Sequence, residues 1–143
     1  SRRVLPALRE IQRSSWGFFI PPNFSRQEVL VALYEGKPAG SVYVNKFTGN
    51  LDFGVHVKKE YQRLRIGTAL VKAALEVCRS LGFKQMFVVR AFRALTKVNP
   101  ADKAALSFYR ACGARVLREY RGFREKRRAR ELDVPGLEEF FET

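Results

Sequence analysis

Val55-His56-Val57-Lys58-Lys59-Glu60-Tyr61-Gln62-Arg63-Leu64-Arg65-Ile66-Gly67-Thr68-Ala69-Leu70 is the stretch on which the fold turns. A strand pattern stops at Val57, a polar loop follows, and an apolar period of three and four residues begins at Ile66. Such a handover places a helix N-terminus, with its unpaired amides and about half a positive charge, at the end of a strand. Anions bind there when nothing bulky bars close approach, and Gly67 and Thr68 leave the approach open. The glycine patterns of a P-loop and of a dinucleotide fingerprint are both missing, so the junction reads as an anion site of another kind.

Outward from this junction the elements follow in short steps. Ile66, Ala69, Leu70, Ala73, Val77 and Leu81 form the inner stripe of a helix over 66–81, with Lys72, Glu76 and Arg79 opposite and Gly82 as the stop. Upstream, Val29 to Tyr34 and Ala39 to Asn45 read as strands joined by the turn Glu35-Gly36-Lys37-Pro38. The turn Phe47-Thr48-Gly49-Asn50 then leads into a third strand, Leu51 to Val57. Leu5, Leu8 and Ile11 mark a helix over 4–15. Ser14 to Phe24, with Trp16, Phe18, Phe19, Pro21 and Pro22, is either a loop with buried rings or a substrate-side wall.

Downstream, the apolar run 85–92 predicts a strand covered on both faces. Asn99-Pro100 suits a helix start, Ala101, Ala104, Ala105, Phe108 and Cys112 its inner stripe, and Gly113 its end. Two arginine-rich strands, 115–123 and 127–134, and a short tail helix after Val134-Pro135-Gly136 complete the reading. The order predicts an α/β fold in one domain, 1–143, with a mixed, mostly antiparallel sheet flanked by helices.

Composition narrows the partners. The 143 residues are 46% hydrophobic, enough for a core without staples. No apolar run has the length needed to span a bilayer, and no stretch has the order of a signal peptide, so cytoplasm is the expected compartment and no membrane partner is expected. Cys78 and Cys112 read as small core residues, and with His56 they make no metal-ligand spacing, so no metal is expected. The net charge is +13. Residues 115–130 carry eight basic and two acidic residues, with Tyr120 and Phe123 interleaved. This basic hairpin would suit an acidic partner or nucleic acid, although no nucleic-acid-binding fingerprint is present.

The strand followed by Gln62-x-x-Arg65-x-Gly67 and a helix resembles the pyrophosphate motif of the GCN5-related N-acetyltransferases. Asp102-x-x-Ala105-x-x-x-Tyr109-x-x-x-Gly113 resembles that family's second landmark, where Asn usually holds the first position. The resemblance implies a sheet splayed between the strand ending at Val57 and the strand 85–92, with acetyl-CoA in the gap. It implies that Val55, His56 and Val57 line the pantetheine arm and that Gln62, Arg63, Leu64, Arg65, Ile66, Gly67 and Thr68 hold the pyrophosphate. An amine on a small molecule or protein would attack the thioester directly, and Tyr109 would protonate the departing thiolate. A nucleic-acid-binding module and a catalytically silent acyl-CoA sensor on the same fold are the alternatives.

Two departures shape further expectations. Arg65 stands where the family usually has its first glycine, so either φ is negative and the loop is altered, or the residue is strained. No base is evident. The places that face the acceptor in the family fall on Leu51 and Phe53. Asp52 and His56 have the opposite parity and should point away unless a bulge turns them. His56 reads as a partly buried structural residue.

Overall fold

A computed structural model describes residues 2–91, 100–120 and 136–143. They form two compact units, Ser1–Met86 with Thr143, and Phe87–Glu142.

The first unit opens with a 3-10 turn and helix α1 (Leu5–Trp16), which buries Leu8, Ile11 and Gln12 and stops at Gly17 in the left-handed region. Strands β1 (Gln27–Tyr34), β2 (Lys37–Asn45) and β3 (Leu51–Val57) form an antiparallel sheet in that order, so β3 is an edge. The β1–β2 turn is two residues shorter than the sequence pattern implies, because Lys37 and Pro38 already pair with Tyr34 and Leu33. Between β2 and β3, Asn45 Oδ1 accepts the amides of Phe47 and Thr48.

Helix α2 (Ile66–Ser80) lies on the sheet. Its buried face is Ile66, Leu70, Val71, Ala74 and Cys78. Ala69 and Ala73 of the expected stripe are exposed, as is Leu81. The true stripe is rotated towards Val71, Ala74 and Cys78, with Ile66 and Leu70 common to both. A Cβ on Gly40 would lie 2.8 Å from Leu70 Cδ1, 3.2 Å from Ile66 Cγ2 and 2.8 Å from the His56 carbonyl oxygen. The bulk of Ile66 and Leu70 fills that space, and alanines cannot. The helix ends with Gly82 at a φ of 87° and two bonds, Phe83 N–H to the Cys78 carbonyl and Gly82 N–H to the Arg79 carbonyl. That is the expected glycine stop. Burial pushes the Cys78 thiol up to about 11, as suits a core cysteine; Cys112 is half-buried.

Strand β4 (Gln85–Ala91) leads into the second unit, whose sheet has the order β4, β6 (Gly136–Glu142), β5 (Arg115–Tyr120). Helix α3 (Pro100–Ala111) precedes β5 and ends at Gly113 with the same pair of bonds as α2. Ala104 of its expected inner stripe is exposed, and Tyr109 is buried.

The chain end departs from the sequence reading. Residues 136–142 are a strand, not a helix, and they pair antiparallel with β5 from Arg115 opposite Phe140 to Tyr120 opposite Gly136. Phe141 is 2% exposed, with its ring against Tyr109, so burial of Phe141 and pairing with β5 override the segment's weak helical pattern. Among the described residues, the first arginine-rich strand pairs with the tail. The rest of the basic segment, 121–135, lies outside the described residues, as does Asn99.

Gly40→Ala is expected to destabilise the protein by about 1–3 kcal/mol through overpacking against α2, read as a lower urea midpoint at unchanged slope. An unchanged midpoint would show that α2 shifts freely.

Candidate functional site

The site is assembled on the run from β3 into α2. Val57 ends β3, a 3-10 turn covers Lys59–Tyr61, and Arg65 is the residue before the first helical position. The first helical bond is Ala69 N–H to the Arg65 carbonyl. The amides of Ile66, Gly67 and Thr68 consequently have no partner among the described residues, which is the state a helix start leaves unless a cap or an anion intervenes. No side chain caps this helix.

Arg65 has φ 61° and ψ 20°, and Arg63 has φ 69°. Arg65 thus keeps the backbone that glycine favours, and the loop is not remodelled around a negative φ. Two L-residues in the left-handed region cost about 1–2 kcal/mol each, and such strain gathers at binding sites. Arg63, Leu64 and Arg65 are all exposed at this loop, and Gln62 donates from Nε2 to the Val57 carbonyl at 3.3 Å. With exposed Lys59 close by in sequence, the amides stand in a positive field.

Helix α1 anchors the strand side of this loop through three polar contacts. Lys58 is 5% exposed, and its Nζ reaches Glu10 Oε1 at 2.5 Å. The Lys59 amide donates to Ser14 Oγ at 3.0 Å, and Ser15 Oγ lies 3.0 Å from His56 Nδ1. Sequence reasoning missed this seam, because nothing marks Glu10, Ser14 and Ser15 as partners of a strand some forty residues away.

His56 is 6% exposed. Its Nε2 is 2.8 Å from the Phe53 carbonyl oxygen, and its ring lies 4.4 Å from that of Trp16. Strand β3 carries a bulge here: Asp52 pairs with Tyr43 and Val55 with Val42, so Phe53 and Gly54 have no partner on β2. Their φ values are 64° and 78°. The bulge turns the half-exposed Phe53 ring towards Trp16, the side that His56 also occupies, while Leu51 is buried. The expectation that Leu51 and Phe53 share a face from which His56 points away therefore fails, since strand parity holds only along an unbroken pleat. Asp52 accepts bonds from Gln27 and Asn45 side chains.

The aromatic segment after α1 is part packing and part surface. Gln12 Nε2 donates to the Tyr43 hydroxyl at 2.6 Å, that hydroxyl donates to the Ile20 carbonyl, and Gln12 Oε1 accepts the Ile20 amide. Burial raises the Tyr43 phenol above its ordinary pKa, against the Gln12 bond, which lowers it. Phe18 stacks on Trp16 at 4.3 Å and stays 54% exposed. Tyr109 belongs to the second unit, where it is 2% exposed and packs on Phe108 and Phe141.

The sequence profile of the acetyltransferase (GNAT) family matches residues 5–114, and the chain belongs to that family. Its fold is that of solved family members. The ribosomal-protein-S18-alanine N-acetyltransferase from Escherichia coli superposes with a TM-score of 0.73 at 17% identity, over 99% of this chain and 89% of that one. An aminoglycoside 6'-N-acetyltransferase complexed with coenzyme A gives 0.72 at 12% identity, over 99% and 92%. A GNAT family acetyltransferase from Elizabethkingia anophelis with acetyl-CoA bound gives 0.63 at 14% identity, over 84% and 78%. No curated protein matches the chain by sequence.

Arg65→Gly is expected to leave the urea midpoint unchanged or raise it, because relief of left-handed strain offsets the added freedom of the unfolded chain. Arg65→Val should lower it. A clear loss in the glycine variant would show that the arginine side chain holds the loop.

Proposed function

We propose that this protein transfers the acetyl group of acetyl-CoA to an amine. The observation that carries the reading is the start of α2, where three amides without a partner among the described residues follow left-handed Arg63 and Arg65 in the loop after β3. A pyrophosphate fits this place: it supplies the acceptors that the amides of Ile66, Gly67 and Thr68 lack, and the charge that Arg63 and Arg65 complement. Gln62 and Leu64 complete the loop. The backbone of Val55, His56 and Val57 on the edge strand would line the pantetheine arm.

In the reaction an amine nitrogen forms a bond to the thioester carbonyl carbon, the C–S bond breaks, and the thiolate takes a proton. A backbone amide near Val57 would stabilise the oxyanion as it develops. Tyr109 would supply the proton, since a phenol of ordinary pKa about 10 is protonated at neutral pH. The amine would lose its own proton through water. Two of the structural neighbours are N-acetyltransferases by name, which supports an amine acceptor on either a protein or a small molecule.

Acetyl-CoA is expected to raise the melting temperature, since a ligand selective for the native state at a hundred times its Kd adds about 2.7 kcal/mol. Gly67→Glu should remove that shift by placing bulk and negative charge among the amides. No shift at millimolar acetyl-CoA in the wild type would end the reading. Tyr109→Phe should lower kcat by about 10²–10⁴-fold at little change in acetyl-CoA affinity. Unchanged turnover, with chemistry rate-limiting, would leave Tyr109 as a packing residue.

A further inference from the structure

We propose that His56 is a positioning residue, clamping the β3 bulge so that the Val55–Val57 backbone is aimed for acetyl transfer. The inference rests on the functional reading above. In a regular strand the carbonyl three residues back is about 10 Å away. Here the Phe53 carbonyl oxygen is 2.8 Å from His56 Nε2, because Phe53 and Gly54 fold the chain back on itself. A carbonyl only accepts, so Nε2 donates to it, and Nδ1 lies 3.0 Å from the Ser15 hydroxyl. Trp16 lies against the ring. Three contacts thus fix one imidazole, and through it the carbonyl of a residue at φ 64°.

That strained backbone is what the clamp holds. Phe53 in the left-handed region, with its ring half exposed, gains little from burial. Without a tie across the bulge, Phe53 and Gly54 relax towards ordinary strand geometry and the following residues shift along the edge. Val55, His56 and Val57 are next in the chain, and Val57 is the last residue before the loop. The loop itself is tied down separately by Lys58 on Glu10 and the Lys59 amide on Ser14. Loss of the His56 clamp should therefore misplace the backbone beside the reacting carbonyl and leave the phosphate cradle intact.

The test is steady-state kinetics and acetyl-CoA calorimetry on wild type, His56→Ala, His56→Gln and Ser15→Ala, each checked for folding by its melting curve. His56→Ala should lose about 10-fold or more in kcat, in line with the roughly 10²-fold that an ångström of misplacement costs, while its acetyl-CoA Kd, set by the phosphate cradle as well as by the arm this backbone lines, rises by much less than the loss in kcat. His56→Gln places an N–H near the Phe53 carbonyl and should recover most of the loss. Ser15→Ala, the milder change should the buried alanine variant not fold, should lower kcat about 3-fold and leave Kd unchanged. An active wild type whose folded variants turn over as fast as it does overturns the inference alone. So does a glutamine variant no better than alanine, or a Kd that rises in step with the loss of kcat. A wild type that neither binds nor turns over acetyl-CoA overturns the functional reading and this inference together.

Discussion

Gly40 has no side chain, and α2 rests in the space this leaves. A methyl group there would meet Leu70, Ile66 and the His56 carbonyl at once, from two different elements. That close approach sets the height of α2 above the sheet, and with it the position of the first turn and its unpaired amides relative to the end of β3. Core packing is dense enough that one methyl is felt. A glycine on the middle strand of the sheet therefore governs a site whose polar groups all lie elsewhere.

A second set of constraints comes from the opposite side. Glu10, Ser14 and Ser15 project from about one turn of α1 and engage Lys58, the Lys59 amide and His56 in turn. The apolar side of β2 and β3 receives α2, while the side carrying Ser41, Tyr43 and His56 receives α1. Lys58 is buried yet ion-paired, which makes it tolerable in a protein interior. The strand is thus held from both faces at the point where it gives way to the loop.

Positive charge dominates the chain, and its roles differ from place to place. Arg63, Arg65 and Lys59 stand near the amides, while Arg79 pairs with Glu76 and Arg115 with Glu142 at the surface. Exposed pairs of this kind contribute about 0–1 kcal/mol. Backbone geometry, with Arg63 and Arg65 both left-handed, distinguishes this loop more than its charge does.

The sequence by itself determined the elements that a local period or a terminal residue specifies. Leu51–Val57 was legible to the residue, and α1, α2 and α3 to within a residue or so, because 3.6-residue periodicity and the glycines at 82 and 113 act within a few residues. The handover from strand to helix start over 57–66 was equally legible, since the period changes there from two residues to three and four. What only the tertiary structure decided depends on partners distant in the chain. The seating of Ile66 and Leu70 was set by Gly40, the strand at 136–142 by pairing with β5 and burial of Phe141, and the face of His56 by a bulge that no alternation of residue types announces. Arg65 in the left-handed region belongs with these, because local preference alone opposes it and only the packed ends of β3 and α2 hold it there.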